Sequence, residues 1–394
     1  MIVGGGIGGL CAAVALVSKG IAVTVCERAS EFSEVGAGIQ LSPNATRILH
    51  AWGFGPAIQS VAFRPDAVEA RGWLNGNLIG HAPLGDCIQS RLGTPYLHIH
   101  RADFLALLIN FLQNSRLAQL RLASPISHCC PNGEPWVAVH TGEKISGDAL
   151  VGADGIHSII RATLFGAEAP RFTGNIAWRG VIPAKYIMGT DVRPVTSLWM
   201  GPGAHFVHYY IRRGELLNFI GVVEANDLGD ESWTARGTKE ELVGHFGHWH
   251  PTIQKIVAAA PKEGCFRWAL YDREPLAAWG KGLTTLLGDA CHPTLPSMAQ
   301  GACMAIEDAA VLGECLDGIE KDKMFAALKR FEALRKARTT AIQLRSRRYT
   351  KLYHMRPPLS WARNFIMRAG TGLSGQAEKI YAYDAFASAR FAPT

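Results

Sequence analysis

Residues 1–10, MIVGGGIGGL, set five glycines behind a three-residue apolar stub. What so short a strand delivers its backbone to decides the fold. Gly4, Gly6 and Gly9 stand at G-x-G-x-x-G spacing, and the run behind them, LCAAVALVSKG, reads as an alanine-rich helix that stops at Gly20. IAVTVCER then supplies a β-branched strand with a charged end. This strand–turn–helix–strand unit closes on Glu27, eighteen residues beyond Gly9. The interval puts a carboxylate at the tip of the second strand, within reach of a ribose hydroxyl pair. Glycines let the backbone approach a pyrophosphate, and the unpaired N–H groups of the helix start meet its charge. The alternative is a glycine turn that closes an ordinary βαβ unit, and the acid at this distance argues against it.

Working outward, 394 residues with 48% hydrophobic content suffice for a large core arranged as two domains, or as one domain elaborated by a second. Nine cysteines, an odd number without a C-x-x-C pair, signal neither a disulfide scaffold nor a metal site, and a cytoplasmic location is expected. No run of 18 apolar residues predicts a membrane span, and no basic residue precedes GGGIGGLCAAVALV as it would in a secretory leader. Part of the net charge of +7 sits in RKARTTAIQLRSRRYTKLYHMR (335–356). That stretch reads as a solvated helix face rather than a nucleic-acid or membrane patch.

The reading along the chain is α/β. Residues 1–171, rejoined by 271–320, form a discontinuous Rossmann-like domain with a parallel sheet. Within it, 34–53 is a loop leading into a short helix, Asp103 opens a helix in HIHRADFLALLINFLQ (98–113) with Arg101 just before it, and 136–155 is a hairpin followed by a strand and a second glycine turn. Residues 172–270 form a mixed or antiparallel sheet domain, with strands in 196–224 and a turn at RRGE, and 321–394 is a C-terminal helical segment.

Two further strand ends carry acids: Asp154 after ALVGA and Asp289 after an apolar strand. Carboxyl ends of strands are where open α/β sheets bind ligands. Each aspartate taken alone also suits a plain turn. With Glu27 they make three acidic tips, which favours one long polyhydroxylated ligand. Pro293 and Pro296 stiffen the next loop, and Gly301 and Ala302 begin a helix whose N-terminus suits an anionic ring edge. Plain packing of loop and helix on the sheet fits the same pattern.

The glycine fingerprint with Glu27-Arg28, the Asp154-Gly155 motif running to Arg161, and Gly288-Asp289 followed by A-x-H-P together resemble the single-component FAD-dependent aromatic hydroxylases, the family of para-hydroxybenzoate hydroxylase. The likeness is greatest to its members acting on salicylate, 3-hydroxybenzoate and 6-hydroxynicotinate. It implies non-covalent FAD with Glu27 on the adenosine ribose, Arg28 and Arg101 near adenosine and pyrophosphate, and Asp289 on the ribityl chain. Gly301 and Ala302 face the isoalloxazine, and Asp154 is associated with both FAD and the pyridine nucleotide. NADH or NADPH is a visiting co-substrate, O₂ is consumed, and a flavin C4a-hydroperoxide hydroxylates a small aromatic carboxylate in a monomer or homodimer.

Such chemistry needs a base for the phenol. In AHFVHYYI, strand alternation puts His205 and Tyr209 on one face and His208 and Tyr210 on the other, and the resemblance selects His205 with Tyr209. A purely structural histidine and tyrosine are the alternative. Gln40 and Pro296 are expected to line the pocket, and Arg179 either meets the substrate carboxylate or makes a surface ion pair. His292 lies near the flavin or holds its loop. The chain begins closer to its first glycine than family members usually do, which is expected to weaken FAD retention. A flavoprotein that only passes electrons on, and a non-catalytic escort protein like the prenylated-GTPase dissociation inhibitors, share the cofactor motifs.

Overall fold

The computed structural model describes residues 1–32, 37–130, 133–225, 236–261, 265–369 and 374–391; part of the loop expected at the start of 34–53 lies outside them. Ile2–Val3, although only two residues long, pairs in parallel with both Leu150–Gly152 and Val23–Cys26. Thr284–Leu286 and Ala118–Arg121 extend this sheet in parallel on either side, and Gly280–Lys281 adds an antiparallel edge. The helix Ile7–Val17 is buried on nearly every side, packed against the helices Arg101–Gln113 and Gly301–Leu316. Its small residues are a condition of that packing. A Cβ added to Gly313 would stand 3.1 Å from the Ala15 side chain, so bulk on either helix would push them apart.

A second sheet of eight strands lies beside the first. Its order is Arg236–Gly237, Cys265–Asp272, Arg171–Pro183, Leu216–Glu224, Ala204–Ile211, Thr196–Gly201, Ala67–Gly72 and Leu78–Pro83. The last two strands come from the segment that the sequence reading places with the parallel sheet. They form a hairpin, AVEARGWLNGNLIGHAP, whose Thr196–Gly201 neighbour is parallel, so the pairing is long-range and leaves no local signature. One face of the sheet packs Trp178, Phe206 and Phe219 against Phe246 and its neighbours in the helices Lys239–Phe246 and Pro251–Ala258. The opposite face is turned toward the parallel sheet and carries His205, Val207 and Tyr209.

The basic stretch 335–356 lies almost wholly in a 30-residue helix, Met324–Tyr353. One side of it is solvated, and the other is buried. Arg335 is wholly buried and donates to Asp308 at 2.7 Å and to Glu307 at 2.6 Å, and Arg338 donates to both oxygens of Glu307 at 2.7 Å. Glu307 also accepts from Asn44, and Asp308 pairs with His292. Burial pushes the Asp308 pKa upward, but His292 and Arg335 outweigh it and hold the carboxyl down at about 2. Arginines every three to four residues look like a surface stripe in sequence; here two of them, Arg335 and Arg338, neutralise buried acids of the helix Gly301–Leu316.

Candidate functional site

The four central parallel strands end side by side, and each delivers one part of the site. Val3 leads into the glycine turn, Cys26 into Glu27, Gly152 into Ala153 and Asp154, and Leu286 into Gly288 and Asp289. At one strand spacing each, the tips carrying Glu27 and Asp289 are about 14 Å apart across the sheet, a span that one extended dinucleotide covers. Gly4 has φ +107°, and a Cβ there would meet the Ala153 carbonyl oxygen at 2.3 Å. A Cβ on Gly9 would stand 1.9 Å from the Gly4 oxygen. Gly6 differs: nothing lies within 4 Å of its missing side chain, nor of that of Gly301. Two glycines of the fingerprint therefore serve the fold, and the third opens onto a cavity of about 430 Å³.

This contrast predicts separable defects. Gly9→Ala is expected to prevent folding to a soluble protein. Gly6→Ala is expected to leave the unfolding midpoint of the apoprotein unchanged while lowering FAD affinity about tenfold, the worth of one backbone contact. Bound flavin per protein after gel filtration, beside a urea titration of each variant, checks both.

Gly6, Arg101, Asp289, Gly301 and Ala302 all line the cavity. Asp289 lies inside the molecule with its side chain open to the cavity; burial raises its pKa, against the pull of His292 and Arg101. The turn Pro296–Met298 and Ala299, at φ +52°, bring the chain to the helix start at Gly301. Glu27 sits beside the turn, accepting from the Gly5 N–H at 2.6 Å and the Ala29 N–H at 2.8 Å. Arg28 is exposed next to it and does not line the cavity. Asp154 is turned away: its carboxylate accepts from the Ser158 hydroxyl and from the Ile159 and Ile160 N–H groups, capping the next helix, while Ala153 and Gly155 form the wall. His292 is buried, bound to Asp308 and packed near Trp279, so it holds the loop.

The far wall is the eight-stranded sheet. His205, Val207 and Tyr209 face the cavity, whereas His208 accepts from the Trp199 indole on the other face. Burial drives the His205 pKa well below the usual histidine range, with His354 adding to the shift, so the imidazole is neutral at pH 7. Burial pushes the Tyr209 hydroxyl up to about 12, despite the opposing influence of Arg179 and Gln40. A neutral imidazole accepts a proton; a phenol of such pKa donates a hydrogen bond and keeps its proton. Gln40 accepts from Tyr96 at 2.6 Å. Arg179 is not a surface residue. It donates to the Gly38 carbonyl at 2.8 Å, lies 5.5 Å over the Trp268 ring, and lines the cavity together with Pro296.

Several lining residues escape the sequence reading. Tyr349 and Tyr353 come from the basic helix, and Ile380 and Tyr381 from Ser374–Tyr381. The i, i+4 spacing of Tyr349 and Tyr353 puts both on one helix face, the only local sign of their role.

A parallel sheet with three strand tips bordering one cavity, closed by a second sheet that presents a buried histidine, is the architecture of a dinucleotide-binding protein. The chain belongs to the FAD binding domain family, which it matches over residues 1–346, and FAD is its cofactor. It is 38% identical over 373 residues to a 3-hydroxybenzoate 6-hydroxylase of Polaromonas naphthalenivorans (strain CJ2), covering 94% of this chain and 92% of that protein. It is 36% identical over 349 residues to a 6-hydroxynicotinate 3-monooxygenase of Pseudomonas fluorescens, covering 87% and 88%. Among solved structures, a salicylate hydroxylase substrate complex superposes with a TM-score of 0.84 at 25% identity, over 99% of this chain and 96% of that one. Among the described residues no helix is long and apolar enough to cross a membrane.

Proposed function

We propose that this protein is an NAD(P)H-dependent flavoprotein monooxygenase that hydroxylates a small aromatic carboxylate bearing a ring hydroxyl. The observation that carries this reading is the neutral His205 on the wall opposite Gly301 and Asp289, with Arg179 in the same cavity. FAD held by these walls would supply the redox chemistry, hydride acceptance from NAD(P)H and activation of O₂. One oxygen atom enters the ring and the other leaves as water. The cofactor residues are Gly6, Glu27, Arg101, Asp289, Gly301 and Ala302, with Gly4 and Gly9 shaping the turn that presents Gly6, Arg28 beside Glu27, and Asp154 setting the wall through its cap. Residues 1–171 and 271–320 hold the cofactor, and 172–270, joined by the 67–83 hairpin, hold the substrate.

His205 takes the phenolic proton, raising electron density on the ring at the carbon to be attacked. Tyr209 donates to the substrate oxygen and keeps it oriented. Arg179 receives the carboxylate, its guanidinium fixed by the Gly38 carbonyl and Trp268. Gln40, Pro296 and the C-terminal tyrosines exclude water from the ring face. The protein acts in the cytoplasm, as a monomer or homodimer.

The test is a panel of phenolic and heteroaromatic acids, scored for stimulated NAD(P)H oxidation and for a hydroxylated product. Stimulated consumption that yields no product with any acid of the panel contradicts hydroxylation. With an active acid, Arg179→Met is expected to raise KM about 10–100-fold, the worth of one charged hydrogen-bonded contact. The same variant is expected to change KM little for the matching phenol without a carboxylate.

A further inference from the structure

His205 has a partner that the reaction as described does not use. Its Nδ1 lies 2.7 Å from Nε2 of His354, the residue that ends the helix Met324–Tyr353. His354 Nδ1 in turn lies 3.6 Å from Glu224 Oε1. The other oxygen of Glu224 is held by Arg356 at 2.6 Å, and the Glu224 side chain is 41% exposed. A line of three titratable groups thus runs from the cavity wall to the surface. It rests on three separate elements: the strand Ala204–Ile211, the end of the long helix, and the last residue of the strand Leu216–Glu224.

We propose that His205, His354 and Glu224 form a proton relay that carries the substrate's phenolic proton from the cavity to solvent and returns it when the product forms. This rests on the monooxygenase reading above. The charges fix its direction. An ionised carboxylate only accepts, so the His354 nitrogen facing Glu224, Nδ1, carries the hydrogen. Burial drives the His354 pKa down to about 4, Glu224 opposing and Arg356 and Arg363 reinforcing the shift, so the ring is neutral and its Nε2 bears a lone pair. His205 Nδ1 must then be the N–H that donates to it. That leaves His205 Nε2 bare for a molecule in the cavity, the tautomer a base requires.

The transfer balances. The substrate O–H proton forms a bond to His205 Nε2, the Nδ1 proton of His205 passes to His354 Nε2, and the Nδ1 proton of His354 passes to Glu224 and on to water. A phenolate remains, both rings stay neutral, and both tautomers are exchanged. The reverse passage, as the new ring hydroxyl arises, restores them. The 3.6 Å step is closed by a few tenths of an ångström of motion or by one water. The groups facing His354 are His205, Glu224, Arg356 and Arg363, the last held by the Leu352 and Tyr353 carbonyls. The edge-on Tyr353 ring, 5.3 Å from His205, shields the inner step from the cavity.

Two measurements on the FAD-loaded enzyme test the relay. With 15N-histidine-labelled protein, NMR is expected to find His205 protonated on Nδ1 and His354 protonated on Nδ1. A proton on His205 Nε2 overturns the relay, whether or not any substrate is turned over. In kinetics with 3-hydroxybenzoate, or the most active acid of the panel if that one is inert, His354→Gln is expected to lower kcat for hydroxylation about 10–100-fold. KM and the rate of flavin reduction by NADH are expected to stay at wild-type values, and imidazole to restore part of the rate in His354→Ala. Glu224→Gln, at an exposed position, is expected to shift the pH profile of kcat. Wild-type kcat and pH profile in His354→Gln overturn the relay, whereas a wild-type protein inert toward the whole panel sinks the monooxygenase reading and leaves the relay to the NMR result.

Discussion

Replacing His205 by glutamine is expected to cut hydroxylation turnover at least about 100-fold, at the low end of what a positioned base contributes. An amide still hydrogen-bonds to His354, so the packing under Tyr353 is kept, but it accepts no proton from a phenol. The residue lies on the sheet wall, away from the glycine turn and Asp289, so flavin content is expected to match the wild type. Product formed per NADH consumed is the measurement that checks this, because reducing equivalents then drain to O₂ without touching the ring. Turnover within a factor of two of wild type moves the base elsewhere on the cavity wall.

Among substitutions that still leave a folded protein, a large stability effect is expected from Arg335→Met. The guanidinium is wholly buried, and it is the group that ties Glu307 and Asp308 together. Removing one member of a buried ionic cluster leaves its partners uncompensated and costs about 3–5 kcal/mol. Arg338 and His292 still cover one acid each, which favours the lower figure. Both acids have pKa values depressed in the folded state, so the stability they contribute is present above the unfolded carboxylate range and is lost as pH falls through the native value, about 2 for Asp308. The penalty of the substitution is therefore expected to be full at pH 7 and to shrink steadily below about pH 4. Urea midpoints at pH 7 and pH 3.5 check both size and sign. Because Glu307 and Asp308 lie one to two turns into the helix that begins at Gly301, flavin affinity is expected to fall with stability.

The cofactor half is legible in the sequence because its signals are local. A glycine fingerprint, an acid at the next strand tip and a Gly-Asp turn each report on a few consecutive residues, and the parallel sheet lines them up. Asp154 shows where local reading stops. A strand-tip acid that faces a ligand and one that caps the following helix have the same neighbours, and only the bonds to Ser158 and Ile159 separate them. The 67–83 hairpin and the C-terminal tyrosines take their roles from partners far away in the chain. His205 and His354, 149 residues apart, meet only because the long helix ends against the sheet. Arginine spacing misleads for a related reason: a stripe that buries itself against acids has the periodicity of one that faces water.

One atom of O₂ is expected to enter the ring of an aromatic acid bound in the cavity that His205 and Arg179 border. Running the reaction under ¹⁸O₂ with NADH and the most active acid of the panel, and weighing the product, checks this. One ¹⁸O atom is expected in the new ring hydroxyl of each product molecule. NADH oxidation with all ¹⁸O recovered as hydrogen peroxide or water, and none in the ring, would contradict it.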